Sequence, residues 1–236
     1  MTTGLRRPAD PQRVSTGSEQ RVLRILAQRG LNPARPLDTD DESDRIADAL
    51  AMAEQRIPPR YRSAVADHPG ITGWMRQIVN EARHGPGGTF GIATGPSLLI
   101  AGTTGTGKTH QAYGAVRGLL QAGVRLRWNK ITTAALYAAM RPRQGHDAEG
   151  EMRELSRCPL LILDDLGAAK TSEWTEELTY RLVDHRYEHM LPTLLTTNLP
   201  IPRIRDVLGD RVASRLAEMT DRVILTGPDR RREPTD

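Results

Sequence analysis

The sequence predicts an α/β protein in which a parallel sheet is covered by helices on both faces, with a small helical region ahead of it. Three observations predict this. From about residue 57 onward, short, continuously apolar runs alternate with segments of helical periodicity, as in strands buried on both faces and joined by helical crossovers. The stretch GTTGTGKT, Gly102 to Thr109, satisfies G-x-x-x-x-G-K-[ST] directly after one such run and directly before one such helical segment. The run LLILDD, Leu160 to Asp165, ends in two acids, which suits a strand whose carboxyl end opens on a ligand crevice.

Composition sets the outer bounds. A chain of 236 residues, 38% hydrophobic, suits one good-sized domain plus a smaller appendage. There is no apolar run of 18 residues, and the start MTTGLRRPADPQR lacks the apolar core of a signal peptide, so neither a membrane span nor export is indicated and a cytoplasmic location is expected. The single cysteine, Cys158, has no partner for a disulfide and adjoins the apolar run Pro159 to Leu163, which predicts a buried, inert thiol. The net charge is +4, yet only three of the 33 basic residues are lysines: Lys108, Lys130 and Lys170. Arginine forks onto phosphates where lysine gives a point charge, but a GC-rich genome produces the same bias. Charge alone therefore assigns no polyanionic partner.

Taken in order, residues 1–56 form the N-terminal region and 57–236 the principal domain. Val22, Leu23, Ile25 and Leu26 make the apolar stripe of a first short helix, Gly17 to Arg29, which Gly30 and Pro33 end. The acidic cluster DTDDESD favours the N-terminus of a second helix carrying Ile46, Ala49, Leu50 and Ala53, and IPPRY at Ile57 to Tyr61 breaks it. Two such helices bury too little apolar surface to stand alone, so a docking role is expected for them. In the principal domain strands are predicted at Ser97 to Ala101, Val124 to Trp128, Leu160 to Asp164, Thr193 to Thr196 and Arg222 to Leu225. Helices are predicted at Trp74 to His84, Lys108 to Gln121, Thr132 to Met140, Glu173 to Met190 and Arg211 to Met219.

The Gly102–Thr109 loop carries the most specific chemistry. Its residues, Gly102, Thr103, Thr104, Gly105, Thr106 and Gly107, turn backbone N–H groups toward phosphates, and the following helix adds its positive end. Lys108 is expected to reach the outer phosphates and the Thr109 hydroxyl to ligate Mg2+. Asp164 is expected at the sheet edge as an indirect metal ligand, with Asp165 one step further as general base. Adjacent strand residues point to opposite faces, so Asp165 needs a frayed strand end to swing toward the γ-phosphate; otherwise it caps the turn that Asp-Leu-Gly begins. The strand TLLTTN ends in Asn198, which either holds the attacking water or closes an Asx turn in TNLP. Arg211 and Arg215, four residues apart on a predicted helix, repel one another mildly and so raise the question of which anion they serve.

IPPRY, GTTGTGKTH, LLILDDLG, Trp174, HRYEHMLPTLLTTNLP and LGDRVASRLAEMTDRVILTGPDRR occur in an order that resembles the DnaC/DnaI-type helicase loaders and the related IstB-type transposition ATPases of the AAA+ class. The likeness runs from about Ile57 to the C-terminus. It implies a five-stranded parallel sheet without a C-terminal lid, and ATP with Mg2+ held between neighbouring subunits of an open helical oligomer. It adds His110 to the nucleotide loop and makes Asn198 the first sensor. It makes Arg215 the arginine finger acting in trans, and assigns Arg211 to the nucleotide of its own subunit. It also places a helical wedge at Thr132 to Arg143, where Arg141 and Arg143 would contact single-stranded DNA and Trp128 or Tyr137 would stack on bases. The alternative there is an ordinary surface helix with Tyr137 packed on the core. Gln111, where the family commonly has an apolar residue, is a departure that bears on packing, and the N-terminal region lacks the cysteines of the zinc-bearing loaders.

The function so implied is an ATPase that loads a hexameric DnaB-type replicative helicase onto single-stranded DNA. The same residues also suit an IstB-like helper that remodels target DNA for a transposase, or an adaptor switched by ATP with negligible hydrolysis.

Overall fold

The computed structural model describes residues 48, 51, 52, 55–84 and 90–229, all within the compact unit Ile46–Asp236. The first predicted helix and most of the second lie outside the described residues; residues 48, 51, 52, 55 and 56 are helical. The principal elements in chain order are α1 (Pro69–Glu81), β1 (Arg83–His84), β2 (Phe90–Gly91), β3 (Ser97–Gly102), α2 (Lys108–Gln121), β4 (Trp128–Thr132), α3 (Thr133–Ala139), α4 (Ala148–Arg157), β5 (Leu160–Leu166), α5 (Glu173–Glu188), β6 (Thr193–Thr197), α6 (Ile204–Met219) and β7 (Thr220–Leu225). β1 and β2 form a small antiparallel pair, and the other five strands form one parallel sheet in the order β4-β5-β6-β3-β7.

Strand alternation divides the core cleanly. Leu98, Ile100, Leu160, Ile162 and Leu194 face one side, where α1 and α2 supply Trp74, Ile78, Val116 and Leu119. Leu99, Leu161, Leu163 and Leu195 face the other, where α3 to α6 supply Leu136, Leu155, Leu182 and Val212. Both sheet faces are thus covered, which is why the central strands carry unbroken apolar runs.

The second strand differs from its expected position. The apolar stretch from Val124 pointed to a strand ending at Trp128, but Trp128 begins β4, which runs to Thr132. Val124 instead closes the α2 turn, its N–H bonded to Leu119 O at 3.1 Å. The slip matters because it moves Lys130 and Thr132 onto the strand. Helix α4 was not foreseen, since its sequence AEGEMRELSR buries only Met152, Leu155 and Ser156; Asp147 caps it by accepting from Gly150 N. Helix α6 begins at Ile204 rather than Arg211 and is kinked at Gly209, whose φ of 82° is left-handed and whose missing Cβ leaves room for Glu176.

Two polar anchors hold the frame. Gln111, 3% exposed on α2, accepts from the backbone N–H of Asp67 and His68 and donates to the Asp67 carboxylate, so its place in the core is a tether for the segment leading into α1. Arg186 on α5 is 1% exposed and donates to the carbonyls of Leu155, Ser156, Cys158 and Pro192 and to Thr193 Oγ1, tying the end of α4 to the start of β6. Burial lowers its pKa to about 10, which still leaves it charged at neutral pH.

Candidate nucleotide site

The carboxyl ends of β3, β4, β5 and β6 open on a cavity of about 700 Å³. Its floor is the Gly102–Thr109 loop, lined by Thr104, Gly105, Gly107, Lys108, Thr109 and His110. Gly107 is the N-cap of α2, so the free N–H groups of that helix point into the space where anions are favoured. Lys108 Nζ lies 2.9 Å from Gly102 O and 2.8 Å from Thr103 O, folded along its own loop. Thr106 Oγ1 donates to Thr103 O at 2.9 Å and stiffens the turn. Gly105 has φ of 87°, and a Cβ there would sit 1.8 Å from Asp229 Oδ1, so the C-terminal segment passes directly over the loop.

Both acids of β5 face this cavity. Asp164 is 3% exposed; its Oδ1 accepts from Thr109 Oγ1 at 3.1 Å and from Thr196 Oγ1 at 2.5 Å, and its Oδ2 pairs with Lys130 Nζ at 3.0 Å. Asp165 follows without the flip that strand alternation demands, but not because the strand frays, since β5 continues to Leu166. The register with β6 slips between Leu163 and Leu166, and Asp165 takes a left-handed φ of 55°, a conformation Asp tolerates better than most residues. Thr196 locks this bulge by accepting from Asp165 N at 3.0 Å, and Thr133 Oγ1 donates to Asp165 O at 2.8 Å. Asn198, just past β6, completes the polar wall.

The opposite end of the cavity is aromatic and basic, lined by Pro58, Arg60, Tyr61 and Tyr113. Tyr61 and Tyr113 stack with ring centroids 4.8 Å apart. Burial, reinforced by the nearby negative charge of Asp164, pushes the Tyr113 hydroxyl up to about 12, so it stays neutral. A polar, anion-seeking floor facing an aromatic end suits a nucleotide better than a bare phosphate. The donor set also fits Mg2+. Among the described residues no cluster of three or more His, Cys, Asp or Glu side chains makes an all-protein cage. A hydroxyl beside one buried carboxylate is what Mg2+ uses when phosphates and water complete its shell.

The profile of the IstB-like ATP binding proteins matches residues 91–227, more than half of the chain and all of the cavity floor and both acids. The chain belongs to the IstB-like ATP-binding family.

Relatives with assigned roles divide between two settings. The replicative helicase loader DnaC of Escherichia coli K12 is 30% identical over 123 residues, which is 51% of this chain and 49% of DnaC. The IS21 insertion-sequence ATP-binding protein of Pseudomonas aeruginosa is 27% identical over 144 residues, 61% of this chain and 51% of that protein. This IstB-like chain therefore spans about half the length of the curated relatives it matches. The crystal structure of the DnaC helicase loader superposes with a TM-score of 0.58 at 22% identity, over 72% of this chain and 100% of that one, so the two share a fold.

Other predicted residues lie away from the cavity of this IstB-like fold. Arg211 is over the Tyr180 ring at 3.6 Å and pairs with Glu177 at 3.4 Å; Arg215 is over Tyr187 at 4.4 Å and pairs with Asp184 at 2.8 Å. Both project along α5, and neither lines its own cavity, Arg211 included. Arg141 and Arg143 are exposed in the turn after α3, Arg143 donating to Ala138 O at 2.8 Å. The stacking roles expected of Trp128 and Tyr137 are corrected. Trp128 is 4% exposed, edge-on to Tyr113 and covered by the Arg56 guanidinium. Tyr137 is 7% exposed, with its hydroxyl 2.7 Å from Thr179 Oγ1. Both rings are spent on the core and present no face to a base.

Sequence reading missed Thr196, Lys130 and the Tyr61–Tyr113 pair. Thr196 is one of several threonines in an apolar strand, with no local pattern to single it out; Lys130 gains its place only from the shift of β4 to Trp128–Thr132; and nothing in the spacing of 61 and 113 signals a stack.

Proposed function

We propose that this protein is an ATPase that loads a hexameric DnaB-type replicative helicase onto single-stranded DNA, assembling with copies of itself through its ATP sites. The observation that carries the reading is a half-complete catalytic centre. Lys108, Thr109, Asp164, Asp165 and Asn198 converge on one cavity, while Arg60 lines its aromatic end and Arg215 lies outside it on α6. Such a cavity is completed by an arginine from a neighbouring subunit.

In this mechanism the loop N–H groups and Lys108 hold the β- and γ-phosphates. Thr109 and Asp164 would hold Mg2+, which when bound would neutralise charge on the phosphate oxygens. Asp165, held in its strained position by Thr196 and Thr133, accepts a proton from the attacking water, which Asn198 orients. Arg215 of one subunit stabilises charge on the γ-phosphate held by the next. Arg141 and Arg143 are the candidate contacts for the backbone of a single strand, through charge rather than stacking.

The relation to DnaC supports the helicase as partner. The match to the IS21 protein supports a second reading, a transposition helper that remodels duplex DNA. A pull-down of the host replicative helicase and of a transposase, with and without ATP, distinguishes them. Full-length protein should retain the helicase in an ATP-dependent manner, and a version lacking residues 1–56 should lose it. Capture of the transposase and not the helicase would overturn the loader reading.

A further inference from the structure

The cavity holds a second lysine that the mechanism above does not use. Lys130 lies on β4 two residues before the strand end, on the same sheet face as Thr132, whose register partner on β5 is Asp164. Its ammonium therefore reaches diagonally along the sheet to the acid, 3.0 Å from Asp164 Oδ2, with the lysine side chain 23% exposed and the aspartate 4%. The other carboxylate oxygen is occupied by the hydroxyls of Thr109 and Thr196. A carboxylate this buried needs a countercharge, and the chain supplies one from its own edge strand.

We infer that Lys130 is the resident counter-ion of Asp164, and that Mg2+ entering with a nucleotide must displace it. This rests on reading the cavity as a Mg2+–nucleotide site. A divalent ion and an ammonium sharing one carboxylate repel each other strongly at low dielectric. Of the two, the lysine is the group that can leave: it is a compact charge on a flexible four-carbon stem, and it lines the cavity into which it would swing. Thr109 and Asp164 are fixed by strand and helix, so the exchange takes place at one mobile side chain. The consequence is a site that demands more Mg2+ than its carboxylate and hydroxyl alone would require, with the movement of Lys130 reporting that metal has arrived.

The test is equilibrium binding of a fluorescent ADP analogue to the full-length chain over a series of Mg2+ concentrations, for wild type, Lys130→Met and Lys130→Arg. Lys130→Met should reach half-maximal Mg2+-dependent binding at about fivefold less Mg2+ or lower, the range expected for losing a partly buried competing ion pair. Lys130→Arg should stay within about twofold of wild type, and in EDTA all three should bind the analogue alike. An unchanged Mg2+ midpoint in Lys130→Met overturns the inference, and so does weakened binding in EDTA, which would make Lys130 a phosphate ligand. If wild type fails to bind the analogue at any Mg2+ concentration, it is the nucleotide-site reading that fails. If Lys130→Met does not melt cooperatively, wild type itself supplies the answer, because only Lys108, Lys130 and Lys170 contribute to a lysine-selective NMR spectrum. The Lys130 side-chain signal, assigned with Lys130→Arg, should shift when Mg2+ is added to the ADP complex, and a signal that stays in place overturns the exchange.

Discussion

Arg211 and Arg215 are four residues apart on α6, and each is relieved of its neighbour's charge by a separate clamp on α5. Glu177 and Tyr180 hold Arg211, while Asp184 and Tyr187 hold Arg215. The clamp around Arg215 extends further, since Tyr187 also donates to Glu218 at 2.7 Å. A half-buried arginine so held is pre-aligned, and its pair, still open to solvent, can yield when a stronger anion arrives. Arg215→Ala should therefore lower DNA- or assembly-stimulated ATP hydrolysis by about 10³-fold or more and leave ATP affinity within about twofold. Steady-state turnover beside nucleotide binding checks this, and wild-type turnover in the variant would remove Arg215 from catalysis. Arg186, two positions past Asp184, is the opposite case. It serves four buried carbonyls and a threonine, so Arg186→Met should destabilise the fold by about 3 kcal/mol or more, read as a lowered urea midpoint.

Among the elements, the phosphate loop, its helix α2 and the strand β5 were legible because glycine spacing, apolar runs and terminal acids each have one dominant physical reading. Less legible were features set by tertiary contact. The position of β4 depends on pairing Trp128 with Leu160 and Thr132 with Asp164, which no local pattern specifies. Helix α4 is stabilised by Asp147 and its first-turn acids while burying few side chains, so its apolar signal is faint. The joint inward aim of Asp164 and Asp165 depends on a bulge that Thr196 stabilises from the neighbouring strand, and sequence spacing alone argued against it. Gln111 looked like a packing anomaly, yet it tethers the segment that precedes α1. Gln111→Ala removes three hydrogen bonds to that segment and should cost about 1–3 kcal/mol. It should also weaken nucleotide binding, because Pro58, Arg60 and Tyr61 on the same segment line the cavity. Chemical denaturation and nucleotide affinity measured together test this, and a drop in stability without any change in affinity would detach the segment from the site.

For the whole molecule, the decisive feature is the separation of the proposed catalytic residues within a single chain. Phosphate loop, acids and Asn198 line one cavity, and Arg215, the proposed arginine finger, lies outside it on α6. No helix among the described residues is long and apolar enough to cross a membrane. If the finger acts only between subunits, hydrolysis belongs to the assembly and each chain alone is a nucleotide-binding unit. The most direct test is ATP turnover per subunit measured across a wide range of protein concentration, with single-stranded DNA present. The rate per subunit should rise with concentration to a plateau, and Arg215→Ala should stay low throughout. A rate per subunit that is the same at every concentration would contradict a site completed by a second copy.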